Sequence, residues 1–149
     1  KPHGALNNMA CENYEISWII GKTIQEYDPN LIYIVLPATK MEKAAKKLNI
    51  KYACEIFADR NYDDFGNLIS RSNQNASVNN KHIAAKNILE MLETSSIKCF
   101  SGKKIKCEID TICIHGDGLN ALSIVEELKK QLLKEKFKLL PLNKLSKFI

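Results

Sequence analysis

Leu31 to Leu36, LIYIVL, is an unbroken apolar row. A strand with one face in water alternates apolar and polar residues, so a row that does not alternate demands cover on both faces. That is the situation of a strand inside a parallel sheet layered by helices. The flanking segments supply such helices. Residues 5 to 27 place Met9, Ile16, Ile19, Ile20 and Ile24 near helical spacing, and Asp28-Pro29-Asn30 stops the run. Thr39 and Glu42 form a T-x-x-E capping box that opens a short helix burying Met41, Ala44, Ala45 and Leu48. A second strand is predicted at 51 to 57, and a helix at 81 to 95 through Ala84, Ile88, Met91 and Leu92. IKCFSGKKIKCEI, from Ile97 to Ile109, reads as a hairpin turning at Gly102. Another buried strand follows at Thr111 to Ile114, then an amphipathic helix at 119 to 135. The alternation predicts an α/β fold of parallel strands and crossover helices with one β-hairpin. No repeat or linker divides it, so residues 1–149 are read as a single domain.

Charge narrows the function. The net charge of +5 is a property of the C-terminal tail, because seven lysines and one glutamate fall between Lys129 and Ile149. Leucines and phenylalanines interleave with those lysines, and Pro141 interrupts any helix there. A solvated lysine face over a packed apolar face is expected, with no nucleic-acid partner. No apolar run reaches membrane-spanning length and no secretory signal is evident, so neither a membrane partner nor secretion is expected and the cytoplasm is the expected location. The five cysteines, at 11, 54, 99, 107 and 113, include no C-x-x-C pair. Cys99 and Cys107 are read as thiols facing each other across the hairpin. Gly21-Lys22-Thr23 mimics the end of a phosphate-binding loop but falls inside a helical stripe, and Asn75-Ala76-Ser77 has a glycosylation pattern with nothing else pointing to secretion.

Only two of the 22 basic residues are arginine, and both, Arg60 and Arg71, lie in the polar stretch from Phe57 to Ser72. A planar two-pronged donor is not replaceable by lysine where a carboxylate or phosphate is gripped. The stretch is therefore a candidate ligand site, against the alternative that both arginines hold a long loop together. Three polar clusters stand at strand-to-helix junctions: Lys1-Pro2-His3-Gly4, Asp59-Arg60 and His115-Gly116-Asp117. In parallel sheets and barrels those junctions share the face at the carboxyl ends of the strands, where active sites are built. His3, Asp59, His115 and Asp117 are the candidate catalytic residues, with Asp117 expected to orient the His115 imidazole. Lys1, Arg60 and Arg71 are the candidate cations. No metal-ligand set can be assigned from spacing. Tyr62, Trp18, Met41 and Met91 are assigned to packing, and His82 to the surface.

The three clusters together are recognisable. KPHGALNN at 1–8, EIFADRNYDDFGNLISRS at 55–72 and DTICIHGD at 110–117 resemble the LamB/YcsF family in order and spacing across nearly the whole chain. The resemblance implies a distorted β/α barrel of the kind shared with sugar deacetylases. It also implies a part in ATP-dependent 5-oxoprolinase, which opens 5-oxoproline to glutamate with two companion subunits. ATP, with or without magnesium, would bind this chain or a companion. Three N-terminal clusters of the family are absent, so the expectation is a partial barrel, the C-terminal portion alone, inactive unless a separate N-terminal half is supplied. Asn7 stands where tyrosine is usual, Asn75 where glycine is usual, and Gly118-Leu119-Asn120 where a Thr-Pro-Gly-like turn is common. Under this resemblance Lys1, Arg60 and Arg71 hold phosphate and carboxylate, Asp59 or Asp117 orients water or a metal, and His115 and His3 move protons. Two other readings stand beside it: a metal-dependent deacetylase-like hydrolase using His3, His115 and a carboxylate, and a non-catalytic remnant that only binds partner subunits.

Overall fold

A computed structural model describes residues 1–149. The order is α1 (Gly4–Glu12), α2 (Tyr14–Tyr27), β1 (Tyr33–Val35), α3 (Lys40–Leu48), β2 (Tyr52–Phe57), α4 (Lys81–Thr94), β3 (Ser96–Lys98), β4 (Lys104–Lys106), β5 (Thr111–Cys113) and α5 (Ala121–Lys134). Two short 3-10 turns, Leu142–Lys144 and Ser146–Phe148, follow. β1, β2 and β5 form a parallel sheet in the order β1-β2-β5, and β3 pairs with β4 as an antiparallel hairpin. The α/β class and the hairpin are as the sequence predicts. β2 is central in the sheet and buried along nearly its whole length, whereas the apolar row at Leu31–Leu36 carries β1, an edge strand with Leu31 exposed and Ile34 half-buried. No helix is long and apolar enough to cross a membrane.

The stripe over 5 to 27 is two helices. Asn13 is extended, and its side chain accepts from the N–H groups of Glu15 and Ile16 at 2.9 and 3.1 Å, which caps a new helix. The Ser17 hydroxyl then donates to the Ala10 carbonyl and ties the two segments together. This break turns Met9 to solvent, Ile19 is likewise exposed, and Ala10 and Cys11 enter the core instead. Gly21 lies where a Cβ would come within 2.5 Å of Leu48 Cδ1, so it lets α2 approach α3 and does no work for phosphate. The capping box forms with a shift: Thr39 caps Met41 N–H, while Glu42 accepts from Ala38 N–H at 2.7 Å.

Three further expectations need correction. β5 is half-buried because it lies at an edge of the sheet. Cys99 sits opposite Lys103 and Cys107 opposite Ser95, so the two thiols do not face each other, and all five cysteines are free. The tail beyond α5 buries no residue in its two turns, and Leu139 and Leu140 are exposed. α5 ends before Pro141, with Lys136 in a left-handed conformation. Trp18 is half-buried against Tyr14, whereas Met41 and Met91 are in the core and His82 is exposed, as expected.

Candidate active site

Parallel strands carry their connections out at the same end, so the residues after β2 and β5 converge. Asp59 follows β2, and His115 follows β5. The His115 Nδ1 lies 2.8 and 3.1 Å from the two Asp59 carboxylate oxygens, and the His115 backbone N–H donates to Asp59 Oδ2 at 3.2 Å. A carboxylate only accepts, so Nδ1 carries the hydrogen and the neutral ring keeps its lone pair on Nε2. Phe57 stacks on the imidazole with centroids 5.2 Å apart, which fixes the ring from a second direction. Asp59, not Asp117, orients the imidazole: Asp117 is drawn away by Arg71, 3.0 Å off.

An open cleft of about 1110 Å³ lies over this dyad. Lys1, His3, Arg60, Arg71 and His115 all line it, Asp59 stands behind His115, and Asp117 reaches the rim through Arg71. The seven candidates are therefore brought to one end of the sheet. They are not equally free. Arg60 is buried, and its Nε and Nη2 donate to the carbonyls of Ala76 and Ile69 at 3.2 and 2.6 Å, so it stitches the loop between β2 and α4. Its pKa is lowered by burial and then by nearby Arg71. Arg71 makes a surface pair with Asp117, whose carboxyl is held below its ordinary value first by the Arg71 hydrogen bond and then by its charge. Lys1 Nζ contacts Glu55, lies 3.5 Å from Cys113 Sγ and sits over the Phe57 ring, 5.1 Å from its centroid. His3 caps α1 without a side-chain bond and stays exposed at the mouth. Tyr62 is buried; its phenol oxygen accepts from Phe57 N–H at 2.7 Å, and burial holds its pKa far above the ordinary value.

Sequence reasoning missed Glu55 and Asn7. Glu55 is a buried carboxylate in the middle of β2, and a charge inside an otherwise apolar strand was its signal. Asn7 lines the cleft, is only 5% exposed, and its Oδ1 has no hydrogen-bond partner. Its one mark in the sequence was that it stands where tyrosine is usual in the family.

The residues can be tested against the groups the resemblance implies. A triphosphate needs several uncommitted cations, and here Lys1 faces Glu55, Arg60 holds carbonyls and Arg71 holds Asp117. This set does not fit ATP. A divalent ion at the cleft would need His3, His115 and a carboxylate to converge; the Nε2 of His115 is free to ligate while Asp59 holds Nδ1, but no second and third ligand atoms gather beside it. The one grouping with metal-ligand spacing, Cys54, Glu108 and Asp110, lies at the opposite end of the strands, where Lys147 Nζ already contacts Asp110 at 2.7 Å and Glu108 at 3.4 Å.

The chain has relatives among known proteins. The model of the LamB/YcsF family matches residues 1–147. Curated relatives include the A-type subunit of 5-oxoprolinase from Clostridium beijerinckii, 37% identical over 97% of this chain and 57% of its own length. Another is the same subunit from Staphylococcus epidermidis, 39% identical over 91% of this chain and 54% of its own. The crystal structure of the lactam utilization protein from Thermus thermophilus superposes with a TM-score of 0.80 at 29% identity, covering 93% of this chain and 55% of that one. The chain thus spans a little over half the length of its relatives, consistent with a partial barrel. It belongs to the LamB/YcsF family.

Proposed function

We propose that this chain is part of the A-type subunit of a 5-oxoprolinase and contributes the water-activating side of a lactam-opening site. The observation that carries the reading is the Asp59–His115 pair at the carboxyl ends of β2 and β5, inside a cleft also lined by Lys1 and His3. The relatives' names support the substrate class.

A lactam resists water because resonance strengthens its carbonyl and its nitrogen leaves poorly. In this reading His115 Nε2 takes a proton from water as the oxygen attacks the carbonyl carbon of 5-oxoproline. The ring C–N bond then breaks, and the same nitrogen of His115 returns the proton to the departing amine, giving glutamate. Asp59 holds the imidazole in the required tautomer and stabilises the imidazolium formed midway. Lys1 offers a positive charge to an oxygen of the substrate. ATP would supply activation of the carbonyl; since both arginines of this chain are already committed and Lys1 is given to the substrate, we assign its binding to one of the companions or to the portion of the relatives this chain does not span. Two companion subunits complete the assembly.

The test is glutamate release from 5-oxoproline by this chain mixed with the companion subunits, with and without the remaining N-terminal portion of a relative and with and without ATP. Release that requires this chain, and that fails when His115 is replaced by Asn, is the expected result. Release that proceeds undiminished without this chain would overturn the proposal.

A further inference from the structure

Successive residues of a strand point to opposite faces, so Glu55 and Phe57 share one face of β2. Their register partners on β5, Thr111 and Cys113, lie beside them on that face. Glu55 thus sits one pleat beneath Phe57, on which the His115 imidazole rests. It is 5% exposed, and its Oε2 has no hydrogen bond; its partner is the Lys1 ammonium. Lys1 reaches the same face from above, against Cys113 and the Phe57 ring. The backbone of residues 1–3 makes one hydrogen bond, 3.5 Å from Asn7 N–H to the His3 carbonyl, and Pro2 beside Lys1 is buried.

A buried carboxylate with one cationic partner is costly to leave alone, so the pair acts as an anchor. We propose that Glu55 is the positioning residue of the cleft: it holds the Lys1 ammonium against Phe57 and Cys113, and with it the segment that presents His3. Resting on the lactam reading above, this assigns to Glu55 the placement of the cation that meets the substrate oxygen. Glu55 itself stays below the floor of the cleft and touches no substrate.

Trace acetylation with peptide mapping measures this on the chain as it stands, because an ammonium held in a buried pair reacts slowly. Lys1 Nζ is expected to acetylate at least about tenfold more slowly than exposed Lys22, and Glu55→Gln to remove most of that difference. Glu55→Asp, which keeps the charge but withdraws it by one methylene, gives an intermediate rate and serves should Glu55→Gln not fold. Equal Lys1 rates in the native chain and in every folded Glu55 variant overturn the anchor. In the assembled enzyme, 5-oxoproline is expected to protect Lys1, with protection lost in Glu55→Gln. If 5-oxoproline protects in neither while acetylation still depends on Glu55, the lactam reading falls and the anchor stands.

Discussion

The two ends of the β1-β2-β5 sheet are both rich in charge, yet they use it differently. At the amino ends, Asp110 accepts from Cys54 N–H and from Lys147 Nζ, each at 2.7 Å, and the Lys147 ammonium lies over the rings of Tyr52 and Phe148. The acceptor faces donors of this chain and the tail closes over it, as a structural clasp would. At the carboxyl ends, Asp59 is likewise saturated, but it passes its influence to an imidazole whose Nε2 has no protein partner. A cluster of charges becomes a candidate for chemistry when one of its members is left with something to give. Proximity alone does not separate the two ends.

The sharpest way to break this comparison is to mutate both ends in the assembled enzyme. His115→Asn or Asp59→Asn is expected to lower the rate by about 10²–10⁴ with little change in melting temperature, because proton transfer is lost and packing is kept. Equal losses from Lys147→Ala would show the ends to be equivalent. Next in size is Arg60→Ala, which strands the Ala76 and Ile69 carbonyls beneath the loop; a loss of about 2–3 kcal/mol is expected by urea denaturation. Lys147→Ala should cost about 1–2 kcal/mol in the same measurement and leave activity intact, since Asp110 keeps its bond to Cys54.

The smallest effect belongs to the rim. Arg71→Ala is expected to leave the urea midpoint almost unchanged, as loss of an exposed pair does. Its pH dependence carries a sign: the Asp117 pKa is lowered in the folded chain, so the pair's contribution is present above the ordinary aspartate value and lost as pH falls through the lowered one. Following the Arg71 and Asp117 side-chain resonances through acid would reveal it, and Arg71→Ala should return the aspartate towards its ordinary titration.

Much of this arrangement was legible in the sequence for a topological reason. Parallel strands deliver their exits to one end, so locating β2 and β5 was enough to bring Asp59 and His115 together before any distance was known. Partner choice was not legible. Asp117 is nearer to His115 in sequence, but the backbone of the β5 exit sends it to Arg71, while Asp59 arrives from the neighbouring strand. Helix α1 and the edge strand β5 failed expectation through similar long-range causes: a side-chain cap at Asn13 overrode a continuous stripe, and the position of β5 in the sheet decided its burial. Glu55 was visible as an anomaly but became meaningful only once Lys1 was found across from it.

Arg60 also has a kinetic implication. The loop from Asp59 to Val78 closes on itself through Asn61 N–H to Ala76, Ile69 N–H to Asn61 and Val78 N–H to Asp59, with the Arg60 guanidinium inserted between its two arms. Its fastenings share one buried knot, so they should not release one at a time. The segment should exchange its amide hydrogens as a single cooperative unit, a foldon that is either shut or wholly undone, and the mouth of the cleft would then open in one step.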